Sequence, residues 1–429
     1  MKFTAVGDVL IQKRIAENYR GYSELAPYIM RGDARFFNLE TTLNEEGECC
    51  ASQFSGGTYV RTTKKVLGDL KKFGFNMTSF NNNHALDFSY DGLTKTIDAV
   101  NESGLVNAGA GYNLAEASAP RFLETENGRV ALIGLNTSFD PSAIAGEQTK
   151  RVPGRPGING MRISERFEVC EEDFEFIKKL AEKTNVNIEH ELDIKSGYSL
   201  PDKDDETVFG TLKFVKGKTA KRVRSVIKED LERVRKAIEE AKWQCDEVLV
   251  SVHSHEIDGT KTEDIAEFLI ELAHFCIDCG ATAVIGHGPH LLRAIEVYKD
   301  CPVFYSLGDF VLELYNVEFA PMEFYHKYSL TPDNTMYELL KTRSRDFTVG
   351  LMESPRMLET VIPYWETENG KLKRLELLPV KINTDGNYSD RGLPFAAKDV
   401  SFMDRLSGLC EPFGVSIKEE NGVFVCSWS

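Results

Sequence analysis

The feature that most constrains this chain is an alternation. Short apolar, β-branched or aromatic runs recur, each followed by a polar turn: KFTAVGD, ARFFNLE, FNMTSFNNNH, RVALIGLN, EVLVSVHSHE, TAVIGHGPH and PVFYSLGDF. Between them TKKVLGDLKKFG, DGLTKTIDAVNESG and AEFLIELAHFCIDCG carry apolar residues at three- and four-residue spacing and end at glycine, as helices do. Strand, loop and helix in repeating order specify an α/β protein. Such sheets place ligand sites at the C-terminal ends of their strands, and the ionisable residues of interest fall there. Positions far apart in sequence can therefore meet on one rim.

The 429 residues exceed one compact domain. The pattern divides them into a core over residues 1–325, interrupted by an insertion at about 150–243 that could cover the rim, and a C-terminal α+β extension over 326–429 packed on the core. The insertion begins with the Gly/Arg/Pro-rich KRVPGRPGINGMRIS and continues as charged helical stretches; in the extension, ETVIPYWETENGKLKRLELLPVKI reads as a hairpin turning at Glu-Asn-Gly. A net charge of -16 with no long basic run excludes a nucleic-acid partner. The opening MKFTAVGDVL lacks the marks of a signal peptide, and no apolar run approaches the roughly 20 residues that span a bilayer. The expectation is a cytoplasmic protein with no membrane segment. Nine scattered cysteines fit reduced thiols, with Cys276 and Cys279 an incidental CxxC on a helix.

The candidate site is assembled from five segments, around Asp8, Glu40, His84, His253 and His287, as a place for one or two divalent metal ions used in catalysis. Gly7-Asp8 ends the first strand and puts a carboxylate on a tight turn, although alone it could be a turn or helix cap. Asn38 and Glu40 share a face under a period of two. In Asn81-Asn82-Asn83-His84-Ala85-Leu86-Asp87, amide oxygens and an imidazole follow an apolar strand, with Asp87 close enough to orient His84. His253 and His255 share a face after EVLVSV, and His287 and His290 lie on a loop forced by Gly and Pro. Five of the eight histidines thus sit at or beside strand ends. His274, on a helix, is expected to be structural.

Taken together, GDVL, FFNLETTL, NNNHALDFSYDGL, VSVHSHE, GATAVIGHGPHLLRAIE and VFYSLGDFVLE resemble, in order and spacing over roughly residues 1–315, the bacterial CapA family of capsule-synthesis proteins associated with poly-γ-glutamate. That family is similar in fold to the calcineurin-like metallophosphoesterases. The resemblance implies a four-layer α/β/β/α sandwich with a metal centre at the strand ends. It implies that Asp8 binds the first metal, that Glu40 replaces the bridging aspartate of the phosphoesterases, and that Asn83, His253 and His287 or His290 complete the ligands. His84 becomes an acid/base beside the metals, oriented by Asp87. His255 stands in the family's HWG block as a further ligand or acid/base. Leu10 occupies the place where the phosphoesterases carry a histidine two residues after the first aspartate.

The expected function is a metal-dependent, phosphoesterase-like hydrolase using Mn, Fe, Zn or Co on a small-molecule or peptide substrate, anionic in character, either a phosphoester or a glutamyl-type amide. Asn38, Arg155 and Arg162 are the candidate substrate contacts, the arginines as clamps on a phosphate or carboxylate or, equally, as loop surface charges. Two other readings remain open: an epimerase or isomerase that uses the metals as electrophiles on a carbonyl, and a noncatalytic capsule-assembly or ligand-binding protein.

Overall fold

The strand Lys2–Leu10 is buried from Phe3 to Leu10, which is the pattern of a strand covered on both faces in the middle of a sheet. The computed structural model of this mixed α/β chain describes residues 1–350 and 353–428. It divides into a larger unit, Met1–Met161 with Glu232–Ser429, and a smaller one, Arg162–Leu231.

In the larger unit, Lys2–Leu10, Ala34–Leu39, Met77–Ser79 and Val106–Ala108 pair side by side in parallel. The other edge of the first strand is shared. Asp309–Leu312 runs parallel to its C-terminal half, and Glu359–Glu368 runs antiparallel to its N-terminal half. Lys371–Ile382, Val423–Trp428 and Val415–Glu420 continue the sheet outward. A second sheet of six strands is ordered Ile295–Tyr298, Cys301–Phe304, Ala283–His287, Glu247–His253, Gly128–Asn136 and Arg121–Thr125.

Alternation along the strands decides what each face covers. Phe3, Ala5, Phe36 and Met77 of the first sheet join Val130, Leu132, Leu249, Ile285 and Phe304 of the second in one apolar cluster. Val6, Phe37 and Leu39 point the other way, into a cluster with Leu25, Leu70 and Leu93 of the helices Arg20–Ile29, Val66–Lys72 and Ser89–Ser103. Successive phenylalanines, Phe36 and Phe37, thus serve opposite faces.

Three expectations change. The first strand does not end at Asp8: it runs on to Leu10, with register shifts flanking Gly7-Asp8 that aim the carboxylate without stopping the strand. The hairpin turns at Asn369 and Gly370, both left-handed at φ 53° and 73° as a tight hairpin turn requires. It is more than an extension packed on the core, because it pairs with the first strand and stacks Trp365 on Phe3 with ring centroids 5.1 Å apart. The smaller unit has its own four-stranded sheet, Glu206–Phe209, Leu212–Lys216, Ile163–Val169 and Lys221–Val226, with helices Glu171–Thr184 and Ile188–Ser196. These strands escaped the sequence reading because KRVRSV and ISERFEV interleave charges with single apolar residues and stay mostly half-buried. Among the described residues, no helix is long and apolar enough to cross a membrane.

Trp365 is fully buried. Trp365→Ala should therefore cost roughly 3–5 kcal/mol in chemical denaturation, with the loss of a single transition that includes the first strand. A loss under about 1 kcal/mol would show that the C-terminal hairpin is dispensable to this sheet.

Candidate metal centre

Two Gly-Asp pairs build the floor of the site. Asp8 and Asp309 are register partners on adjacent parallel strands, and each follows a glycine. A β-carbon on Gly7 would lie 1.8 Å from the carbonyl oxygen of Gly308, so the two backbones can approach this closely only with glycine at position 7. The strands Ala34–Leu39, Glu247–His253 and Ala283–His287 end beside them and deliver Glu40, His253 and His287. His290 follows on a loop with a left-handed φ of 58°.

These side chains converge. Asp8 Oδ1 lies 3.3 Å from His287 Nδ1 and 3.8 Å from His253 Nδ1, and Glu40 Oε1 lies 3.7 Å from His253 Nε2. His253 Nε2 is 2.8 Å from Asn83 Oδ1 and 3.2 Å from His255 Nε2. His290 Nδ1 contacts Asp309 Oδ1 at 2.8 Å. Their ligand atoms form overlapping groups, each within 4.8 Å: Asp8, His253 and His287; Glu40, His253 and His255; and Asp8, Glu40, His290 and Asp309. Glu40 belongs to both of the last two, the position a bridging carboxylate would take.

The electrostatics point to a missing positive charge. Asp8, Glu40 and Asp309 are buried together. Among the described residues, both oxygens of Glu40 and Oδ2 of Asp309 are buried with no hydrogen-bond partner. Buried carboxylate oxygens are normally paired, since an unpaired one forfeits its hydration for nothing. Burial, then the charges of Asp8 and Asp309, push the Glu40 carboxyl well above the usual range. Burial also lifts Asp309, with Asp8 adding and His290 opposing, to about 6. Burial acts on Asp8 too, but the hydrogen bond and charge of His287, with His253 and His290, outweigh it and hold Asp8 below the ordinary value. Burial drives His253 far down and, with the neighbouring His290, His255 to about 3, so both present neutral imidazoles, the form that ligates metals. A divalent cation fits this donor set: it answers three buried carboxylates and the orphaned oxygens, with nitrogen and oxygen ligands of the kind Mn, Fe, Zn and Co accept.

His84 stands apart from the ligand groups. Its Nδ1 lies 2.7 Å from Asp87 Oδ2, and Asp87 accepts from the backbone N–H groups of Gly56 (3.1 Å) and Val60 (2.8 Å). The carboxylate is fixed by the 56–60 loop and fixes the imidazole in turn. Next to Asn83 and His255 opens a cavity of about 460 Å³, lined also by Gly56, Phe139 and Glu256.

Other expected contacts fall elsewhere. Asn38 is fully buried; its amide donates to Asp8 Oδ1 at 2.6 Å, and its oxygen faces Asn82, so it positions Asp8 rather than touching substrate. Arg162 gives both Nε and a terminal nitrogen to the buried Asp230, at 3.0 and 2.8 Å, which leaves it engaged within the smaller unit and not free as an anion clamp. Arg155 is exposed and donates to the carbonyl of Ile144. His274 pairs with Glu296 and stacks on Tyr298. His287 has Nε2 committed to Ser251 Oγ at 2.7 Å, leaving only Nδ1 toward Asp8. The residue that sequence reading passed over is Asp309. Its signal was present: Gly308-Asp309, after an apolar run, repeats Gly7-Asp8. Leu10, by contrast, packs with Leu312 and Ile382 and takes no part in the cluster.

Residues 2–313 match the sequence model of the bacterial capsule synthesis protein family PGA_cap. The chain belongs to that family. It is 32% identical over 434 residues to the Sinorhizobium fredii protein y4sH, a match covering 98% of this chain and 91% of that one. It is 24% identical to the capsule biosynthesis protein CapA of Bacillus anthracis, across 73% of this chain and 60% of the relative. The PGA biosynthesis protein CapA of Bacillus subtilis is likewise 24% identical, over 59% of this chain and 47% of that protein. The family match ends at the strand that carries Asp309, whereas the y4sH similarity takes in the C-terminal strands as well.

Manganese at about 100 times its Kd should stabilise the chelator-stripped protein by roughly 2.7 kcal/mol. Glu40→Gln should abolish most of that gain while leaving the stripped protein no less stable than stripped wild type. Manganese affinity should fall as the pH drops through about 6, where Asp309 takes up a proton. Metal-independent melting, or equal gain in the variant, would contradict the assignment.

Proposed function

We propose that this member of the capsule synthesis family is a metal-dependent hydrolase on a four-layer, metallophosphoesterase-like α/β/β/α sandwich, with a phosphoester or glutamyl-type amide as its substrate. The observation that carries the reading is Glu40: a fully buried carboxylate whose two oxygens have no hydrogen-bond partner among the described residues, shared between two groups of ligand atoms. Capsule and polyglutamate roles belong to the names of its relatives; for this chain they motivate the glutamyl-type amide.

In this reading Asp8, Glu40, Asp309 and His290 would hold one ion, Glu40, His253, His255 and Asn83 would hold the other if two are bound, and His287 would offer Nδ1 beside Asp8 and His253. A divalent cation there supplies Lewis acidity toward a phosphoryl or carbonyl oxygen. The chain's own residues do the rest. Asn38 and the Gly288 N–H, which donates to Asp8 Oδ2 at 2.7 Å, fix the orientation of Asp8. Ser251 fixes His287. Asp87 holds the proton of His84 on Nδ1, so that Nε2 is the atom that exchanges a proton with the leaving group. The 56–60 loop covers this dyad: a β-carbon on Gly56 would meet His84 Nε2 at 2.7 Å.

Manganese-reconstituted protein should hydrolyse a generic phosphodiester or a γ-glutamyl peptide, and His84→Ala should lower kcat about 10²–10⁴-fold with metal content unchanged. Phosphate or amine release reports hydrolysis. Deuterium uptake without release would mark an epimerase instead, and ligand binding that survives metal stripping without turnover would mark a noncatalytic protein.

A further inference from the structure

The cavity beside His255 carries its own chemical signature. Two of its side chains are acidic, Glu256 and Asp140, and among the described lining residues there is neither lysine nor arginine. Each carboxylate is pinned by one oxygen. Glu256 Oε2 accepts from three hydroxyls, Thr137 Oγ1 at 2.8 Å, Ser138 Oγ at 2.8 Å and Ser254 Oγ at 2.9 Å. Asp140 Oδ1 accepts from the backbone N–H and the hydroxyl of Ser142. Among the described residues the other oxygen of each, Glu256 Oε1 and Asp140 Oδ2, has no hydrogen bond. Phe54 and Phe139 complete the wall. Arg293, a buried cation on which Glu256 is the largest charge influence, gives its Nε and one terminal nitrogen to the carbonyl of Thr262; among the described residues its other terminal nitrogen has no hydrogen-bond partner, and Arg293 does not line the cavity.

We infer that this cavity is an ammonium-binding subsite, with Glu256 its specificity-determining residue, so that the substrate carries a protonated amine beside the group that meets the metal centre. A carboxylate held rigid by three hydroxyls offers its free oxygen at little entropic cost, and an ammonium has three N–H donors to give to such oxygens. Aromatic walls favour the same charge. A bare phosphate or carboxylate entering here would meet two carboxylates and, among the described lining residues, no lysine or arginine. Asn83 and His255 line the cavity and contact His253 directly, so an ammonium in it would lie within one small molecule's length of the centre. The inference rests on the hydrolase reading for its reacting group, and on the cavity alone for its ammonium.

Calorimetric titration of the manganese-reconstituted protein tests it with two matched pairs, γ-glutamyl-glutamate against its N-acetyl derivative, and O-phosphoethanolamine against ethyl phosphate. The amine-bearing member should bind about tenfold or more tightly in at least one pair, as expected for a hydrogen bond to a charged group. Glu256→Gln keeps an oxygen for the three hydroxyls and should reduce that preference to about two- to threefold, the low end of a neutral hydrogen bond. Equal affinity within both pairs, no binding of any member, or a preference that persists in Glu256→Gln overturns the inference. Turnover is read separately. Amine preference without hydrolysis would sink the hydrolase reading and leave the subsite standing, and hydrolysis without amine preference would do the reverse.

Discussion

The burial of Asp8, Glu40 and Asp309 against one another is the interaction on which the rest depends. Negative charges removed from water repel strongly and lose their hydration, so such a cluster persists only if protons or cations compensate it. The protein already spends some donors there: the Asn38 amide and Gly288 N–H on Asp8, and His290 on Asp309. Among the described residues, Glu40 receives none. The shortfall falls at the one carboxylate that joins both groups of ligands, which makes the deficit a specific one.

The fold is arranged to make this possible. Parallel strands bring their C-terminal ends to one rim, and the paired Gly-Asp turns let two carboxylates lie side by side on adjacent strands. The left-handed backbone of Gly288, φ 120°, with a β-carbon position only 2.8 Å from the Ser254 carbonyl, packs the histidine loop against the neighbouring strand end. Around this floor the secondary contacts are polar and local: Ser251 on His287, Asp87 on His84, and Ser138 accepting from the His255 N–H at 2.7 Å. Rotamers locked in this manner are what a preorganised site requires.

Much of this was legible in the sequence. Strand ends are legible because apolar runs stop abruptly at residues such as Glu40, Asn81 and His253; the α/β alternation places Asp8, Glu40, His253, His287 and His290 near one rim, and the resemblance to the CapA family is what implies that they form a ligand set. Asp309 is not legible in this way, because a Gly-Asp after a strand is ordinary until its partner strand is known. The roles of Asn38 and Arg162 misled for a related reason: sequence shows a donor but not the buried carboxylate that occupies it. The C-terminal hairpin was recognised as a hairpin, yet its place in the central sheet depends on nonlocal pairing with Lys2–Thr4, which no local pattern encodes.

The most direct test of the central claim is elemental analysis combined with anomalous diffraction from crystals of the manganese-reconstituted protein. The account predicts one or two ions per chain, with at least one coordinated by Glu40 together with Asp8 or His253. Less than one ion per chain after reconstitution, or an ion bound elsewhere while Glu40 stays unligated, would contradict it.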